Sequence, residues 1–359
     1  MIVSITNATQ STIFFVLFLI SALIFTAKKK DTTELFSASV TRELKGFALL
    51  SIIFSHVGYF LVSDDRFLFP LSILSGVGVN MFLFLSGFGL TMASIKKNFS
   101  RLQFYRVRLP KLYVPFWLVL GIFLLLDFFI LHITYSPRFV LQFFTGLFTH
   151  ADIFTDFNSA LWYITLIIFY YLVFPLFFIK KYPWVSAILI FLLSYLLVKE
   201  TAYELMPTIH LYKIHIIAFP LGVFVGSLYG NYKLGITTFF HKISNSIWKI
   251  FFISFCILSA VYFAYYSGIG ESLRKEQIVS LITMMFIMGI FMIKKYEFKI
   301  LSYFGLYSYE IYLLHWPILW RYTNFFQILP SWFALILYLG FFVLLAIGVQ
   351  RITRLLLRV

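Results

Sequence analysis

The stretch "LKGFALLSIIFSH", Leu44 to His56, decides how this chain is read. Apart from Lys45, Ser51, Ser55 and His56, every residue in it is apolar or glycine. A helix of that composition pairs its own backbone polar groups and offers lipid an apolar surface, so the stretch reads as part of a membrane span. Lys45 opens it and His56 closes it. Their spacing is close to three helical turns, which puts both on nearly one face, roughly 16 Å apart along the axis. An ionisable group at that depth costs free energy unless it faces protein or water, so His56 is a candidate functional residue. The plain alternative is a buried, hydrogen-bonded histidine and a lysine that only flanks the span.

The rest of the chain extends this reading. Of 359 residues, 61% are hydrophobic and 12% charged, against about 25% charged in a soluble domain. Long apolar runs recur where a β-barrel would show short alternating segments. The expected fold is an all-α, polytopic transmembrane helix bundle of about eleven spans. They fall near 10–27, 46–63, 69–95, 112–132, 159–179, 183–198, 209–229, 250–266, 278–293, 303–320 and 331–350. The third is long enough to tilt or break near Gly76 and Gly78. The run Ser11 to Ala27, closed by Lys28–Lys30, reads as a retained anchor.

Charge sets the orientation. With Lys28–Lys30 in the cytoplasm and the spans alternating, only Arg66, Arg138, Lys199, Lys213, Arg274, Lys275 and Arg321 of the 29 basic residues fall outside. That asymmetry places the N-terminus outside and the C-terminus in the cytoplasm. It also explains the net charge of +15 without nucleic acid, because the basic residues cluster between spans. The largest outer loop runs from about Ile133 to Ser159 and holds Arg138, His150, Asp152 and Asp156. Gly222, Gly226 and Gly230 form a small-residue series expected at a helix-packing face.

Further polar groups need an explanation. In "FYRVRLPKLYVPFW", Arg106, Arg108 and Lys111 crowd the start of the fourth span. They signal orientation or lipid headgroup contact, or they clamp an anion, for which arginine offers paired donors. In "YFGLYSYEIYLLHWPILW", Ser308, Tyr309, Glu310, Tyr312 and His315 share one span, and Trp316-Pro317 marks a kink. "GVGVNMFLFLSGFGL" carries Asn80 and Ser86, with packing as the simpler role. Trp162 and Tyr163 open the fifth span as an aromatic belt would. His210 and His215 are candidates for acceptor contact. No phosphate-binding glycine loop, nucleophile elbow or His-Glu-x-x-His motif is present, and the histidines show no metal spacing.

In this order, these stretches resemble the acyltransferase-three family of integral-membrane O-acyltransferases. The matching features are Lys45 with His56, where the family usually has arginine; the phenylalanine-rich run Phe82 to Phe88; and Arg106, Arg108, Lys111 and Pro115. Leu161 with Trp162 follows, then Gly305, Ser308, Tyr309, Tyr312, Leu313 and His315. The resemblance implies transfer of an acyl group, acetyl from acetyl-CoA, to a hydroxyl of a cell-surface or lipid-linked carbohydrate, by a multi-pass protein of the cell membrane. It implies His56 and His315 as catalytic residues and Lys45, Arg106, Arg108 and Lys111 as the acyl-CoA site. Ser86, Ser308, Tyr309 and Glu310 are supporting residues. No permanently bound cofactor or metal is expected. Residues 1–40 read as an extra N-terminal membrane anchor and basic linker, and 41–359 as the acyltransferase-like membrane domain. The competing class is a transporter or flippase for a lipid-linked saccharide, which would also need polar groups inside a bundle. Its usual internal repeat is not visible.

Overall fold

The computed structural model describes residues 3–30, 34–97, 100–151, 157, 159–203, 206–244, 246–266, 273–321 and 324–357. Asp152, Asp156 and Arg358 lie outside the described residues. Fifteen α-helices follow one another among those described. They are α1 (Ala8–Phe25), α2 (Ala38–Ser55), α3 (Ser75–Lys96), α4 (Arg101–Phe129), α5 (Pro137–Thr145), α6 (Trp162–Phe177), α7 (Pro183–Glu200) and α8 (Ile209–His215). Then come α9 (Ala218–Ser244), α10 (Trp248–Tyr265), α11 (Leu273–Ile293), α12 (Lys299–Leu306), α13 (Ser308–Arg321), α14 (Asn324–Ile328) and α15 (Ser331–Leu357). Two short strands, β1 (Ala27–Lys29) and β2 (Tyr296–Phe298), pair antiparallel. Ten helical segments among the described residues are long and apolar enough to cross a membrane.

Three of the expected spans are irregular. The tenth, expected at 303–320, is a pair of shorter helices, α12 and α13, broken at Tyr307. The seventh is α8 followed by α9, and α2 continues into a π-helical turn, His56–Leu61. The third starts at Ser75 and runs unbroken to Lys96, so the break considered at Gly76 and Gly78 is absent. Those glycines sit inside a continuous helix, and Gly78 lets α2 approach, since a Cβ there would lie 2.5 Å from the Ala48 carbonyl oxygen. The fourth span begins earlier than expected. Ser100 caps α4 by accepting from Gln103 N at 3.2 Å, and the helix runs on through Pro110 and Pro115.

The core is an interlock of α2 with α3 and α12, and of α3 with α9. Close backbone approach explains it. A Cβ on Gly305 would lie 1.7 Å from the Arg42 carbonyl oxygen, and one on Gly46 would lie 1.9 Å from that of Leu301. Gly222 meets the Phe84 carbonyl in the same way, so the expected packing face is real. Gly305→Ala is therefore expected to destabilise the fold by about 1–3 kcal/mol, the usual cost of overpacking. The check is the thermal midpoint of the protein in detergent; an unchanged midpoint would refute so close a crossing.

Helix α1 is not a detached anchor. Phe15 is fully buried and meets Phe54 edge-on at 5.2 Å, and Thr12 Oγ1 accepts from Leu68 N at 2.8 Å. At the lysine-rich end, Glu43 is buried and accepts from Lys294 Nζ and from Phe298 N. Lys30 Nζ donates to the Phe291 carbonyl at 2.7 Å, and burial, with Lys294 behind it, pushes that ammonium down to about 8. At the opposite end buried Asp127 of α4 pairs with Arg321 of α13. The expected outer loop carries α5 there, and Arg321 Nη2 also donates to the Phe157 carbonyl at 2.9 Å.

Candidate active site

His56 sits where the α-helical part of α2 gives way to the π-helical turn, a backbone irregularity found frequently at functional sites. Ser55 Oγ donates to the Ser72 carbonyl and accepts from Ser75 N, which fixes this end of α2 against the start of α3. Across from it, α13 presents His315, fully buried. The two imidazoles lie almost parallel, 4° apart, with His56 Nδ1 2.7 Å from His315 Nε2. Trp316 packs edge-on against His56 at 5.0 Å.

The partners assign the protons. His315 Nδ1 lies 2.7 Å from the Tyr312 carbonyl oxygen, which only accepts, so Nδ1 carries the hydrogen. In a neutral ring Nε2 is then an acceptor, and His56 Nδ1–H donates to it. His56 Nε2 is left with a free lone pair and has no protein partner among the described residues. The arrangement holds His56 as a base oriented by His315, which is oriented in turn by a backbone carbonyl. This is the base-and-orienter geometry that general-base catalysis needs.

Two cavities lie on either side of Tyr312, which lines both, and His56 borders one of them. The one toward the basic end has a volume of about 300 Å³ and is lined by Lys45, Ser86, Arg108, Lys111, Tyr309 and Glu310, among others. Ser308 is also in its wall. Lys111 is exposed, Lys45 and Arg108 are half-buried, and Glu310 is buried. Arg106 is exposed on α4 and does not line this cavity. The second cavity, about 470 Å³, is lined by His56, Trp162, His210, His215 and Glu276, among others. The hydroxyl of Tyr312 donates to the Ala160 carbonyl, tying α13 to the turn before α6 at the partition. Lys45 and His56 do share the α2 face toward α13, as their spacing implies, but they open into different cavities.

The structure revises two readings. Trp162 and Tyr163 are not a lipid-facing belt. Tyr163 is buried against Tyr312 at 5.2 Å, and Trp162 stacks on His215 at 5.5 Å. A belt residue and a site residue look alike in sequence, because both are aromatics at a span end. Asn80 does more than pack: Oδ1 accepts from His215 Nδ1 at 2.7 Å and Nδ2 donates to Ser280 Oγ at 2.8 Å. The available signal was a polar amide in the middle of an apolar run, "GVGVNMFLFLSGFGL". Glu276 was missed, since it lies only three residues from the start of α11 and looks like a solvated end. Among the described residues, no group of three His, Cys, Asp or Glu side chains gathers in a way that would hold a metal.

The fold and site together define a multi-pass membrane protein with a histidine pair near two cavities, one bordered by His56 and the other lined by lysine and arginine. A family model described as an acyltransferase domain matches residues 44–351, and the chain belongs to this family, acyltransferase three. The match starts inside α2 and leaves α1 outside it. No curated protein and no solved structure gives a significant match.

Proposed function

We propose that this membrane acyltransferase moves an acetyl group from acetyl-CoA to a hydroxyl of a cell-surface or lipid-linked carbohydrate. The observation that carries the reading is the His56–His315 pair, with a free His56 nitrogen on one side of Tyr312 and a lysine- and arginine-lined cavity on the other. Coenzyme A is a cytoplasmic polyanion. Lys45, Arg108 and Lys111 attract it at the end of the bundle that the positive-inside rule places in the cytoplasm. Exposed Arg106 lies on the approach and adds to the local positive field. Ser86, Ser308, Tyr309 and Glu310 shape the wall around the thioester arm.

The reaction balances with the groups at hand. His56 Nε2 takes the proton from the acceptor hydroxyl as its oxygen attacks the thioester carbonyl carbon. The tetrahedral intermediate collapses, the carbon–sulfur bond breaks, and the proton passes from His56 to the departing thiolate. His315 holds the His56 ring in its reactive tautomer throughout. Because Tyr312 separates the cavities, the acyl end of the donor has to pass beside or displace this ring to reach His56. Deep placement of the base excludes bulk water and so limits hydrolysis of the thioester.

Membrane vesicles given radiolabelled acetyl-CoA test the reading. Label covalently bound to glycan is the expected result. Movement of unmodified saccharide with no label incorporated would identify a flippase instead. The basic cavity makes its own prediction. Replacing Arg108 and Lys111 together by glutamine is expected to raise the apparent KM for acetyl-CoA by roughly tenfold, since charge-assisted phosphate contacts are each worth about 1.5–3 kcal/mol when dry and less when wet. Unchanged dependence on acetyl-CoA would reduce both residues to orientation signals.

A further inference from the structure

Charge divides the two cavities. Lysine and arginine side chains line the cavity at the basic end, whereas among the described residues no lysine or arginine lines the one that His56 borders. Its only ionisable wall groups, among the described residues, are imidazoles, the Tyr312 phenol and the carboxyl group of Glu276. Glu276 is half-buried and has no hydrogen-bond or ion-pair partner among the described residues. A carboxyl group left unpaired in a cavity is free to hydrogen-bond vicinal hydroxyls.

The other walls fit the same ligand. Trp162 presents a broad ring whose position is fixed by stacking on His215. His215 is locked in turn through Asn80 and Ser280, so three helices and the α8–α9 junction hold that ring in place. His210 Nδ1 donates to the Pro207 carbonyl at 2.6 Å, which leaves its Nε2 as another acceptor at the cavity rim. Among the described residues these walls offer hydrogen-bond acceptors and an aromatic face and carry no lysine or arginine. An anionic sugar would find no lysine or arginine counterion on these walls among the described residues.

We infer that this cavity is the acceptor subsite and that it takes an uncharged, hydroxyl-rich sugar ring, held by the Glu276 carboxyl group and the face of Trp162, with one hydroxyl delivered to His56 Nε2. The inference rests on the acyltransfer reading above and narrows its substrate class. Glu276 and Trp162 are binding residues here, and His215 and Asn80 are positioning residues.

Equilibrium binding to the full-length protein in detergent, without acyl-CoA, tests it with a panel of uncharged, amino-sugar and uronic-acid oligosaccharides. Uncharged members are expected to bind and uronic-acid members to bind at least tenfold more weakly. Glu276→Gln is expected to weaken binding of the uncharged probe by about tenfold, and Trp162→Ala by a similar factor. In turnover the same two variants raise KM for the acceptor and leave that for acetyl-CoA unchanged. Equal binding by Glu276→Gln, uronic-acid probes binding as well as uncharged ones, or no uncharged probe binding overturns the inference. Binding with these properties but no acetyl transfer would keep the subsite and overturn only the acyltransferase reading. Should Trp162→Ala fail to fold, Trp162→Phe keeps the ring and Glu276→Gln remains decisive.

Discussion

Replacing His56 by alanine is expected to lower acetyl transfer by about 10²- to 10⁴-fold, the usual contribution of a positioned general base. Membrane insertion and amount of protein should change little, because the ring is only half-buried and one face opens into a cavity. The loss should fall on turnover, with KM for acetyl-CoA nearly constant, since Lys45, Arg108 and Lys111 lie on the far side of Tyr312. His315→Gln is the informative partner. Glutamine keeps a donor toward the Tyr312 carbonyl and an acceptor toward His56, so it should retain more activity than His315→Ala, which leaves the His56 tautomer unspecified. Membrane vesicles with radiolabelled acetyl-CoA supply the measurement for all three. Near-normal transfer by His56→Ala would remove the imidazole from the mechanism.

Much of this site was legible before any coordinates because it breaks the composition around it. Lys45, His56 and His315 are ionisable groups in apolar runs, and lipid makes such groups conspicuous. The spacing of Lys45 and His56 gave their common face. What the spacing does not reveal is the partition, because that depends on Tyr312 reaching Ala160 across 152 positions. Basic clusters locate an end of the bundle more readily than a site, so Arg106 and Arg108 read alike while only Arg108 reaches the cavity.

Backbone breaks were harder to read than polar groups. The α8–α9 interruption falls at Ile216 and Ile217, two β-branched apolar residues that look continuous with their surroundings. Its cause lies four residues on. Pro220 has no N–H and its ring would clash with the carbonyl of residue 216, so the helix restarts with Pro220 in its first turn. The freed segment turns His215 toward Asn80. Nothing as decisive marks Tyr307, where the run "YFGLYSY" holds only a glycine that costs about 1 kcal/mol in a helix. There the approach of α2 onto Gly305 governs, a contact between segments more than 250 positions apart in the chain. Irregular backbone at membrane depth is tolerated where protein or a cavity covers it, and all three breaks border the site.

The pairing of Asp127 with Arg321 carries the largest expected stability effect. Asp127 is completely buried and the Arg321 side chain is 10% exposed. Tyr135 donates to Asp127 Oδ2 at 2.7 Å, and burial, followed by that hydrogen bond, pushes the tyrosine hydroxyl up to about 12, so it remains a protonated donor at any working pH. Arg321 also donates to the Phe157 carbonyl and lies over the Phe157 ring at 4.9 Å. Removing Asp127 strands a buried cation whose remaining partners cannot neutralise it. Asp127→Leu is therefore expected to cost about 3–5 kcal/mol, whereas the double variant Asp127→Leu with Arg321→Met should recover most of that, because apolar groups replace a pair whose desolvation offsets its attraction. Unfolding in detergent, read as a double-mutant cycle, separates the two contributions. Small, additive losses in both single variants would show that the charges are solvated and that the pair does not organise this end of the bundle. A strong coupling would instead tie α4 and α13 to Phe157, which precedes Ser159 by two residues and Ala160 by three in the wall beside His56. In that case the Arg321→Met single variant should also raise KM for the acceptor before it lowers turnover, since the wall would loosen while the histidine pair on α2 and α13 stayed in register.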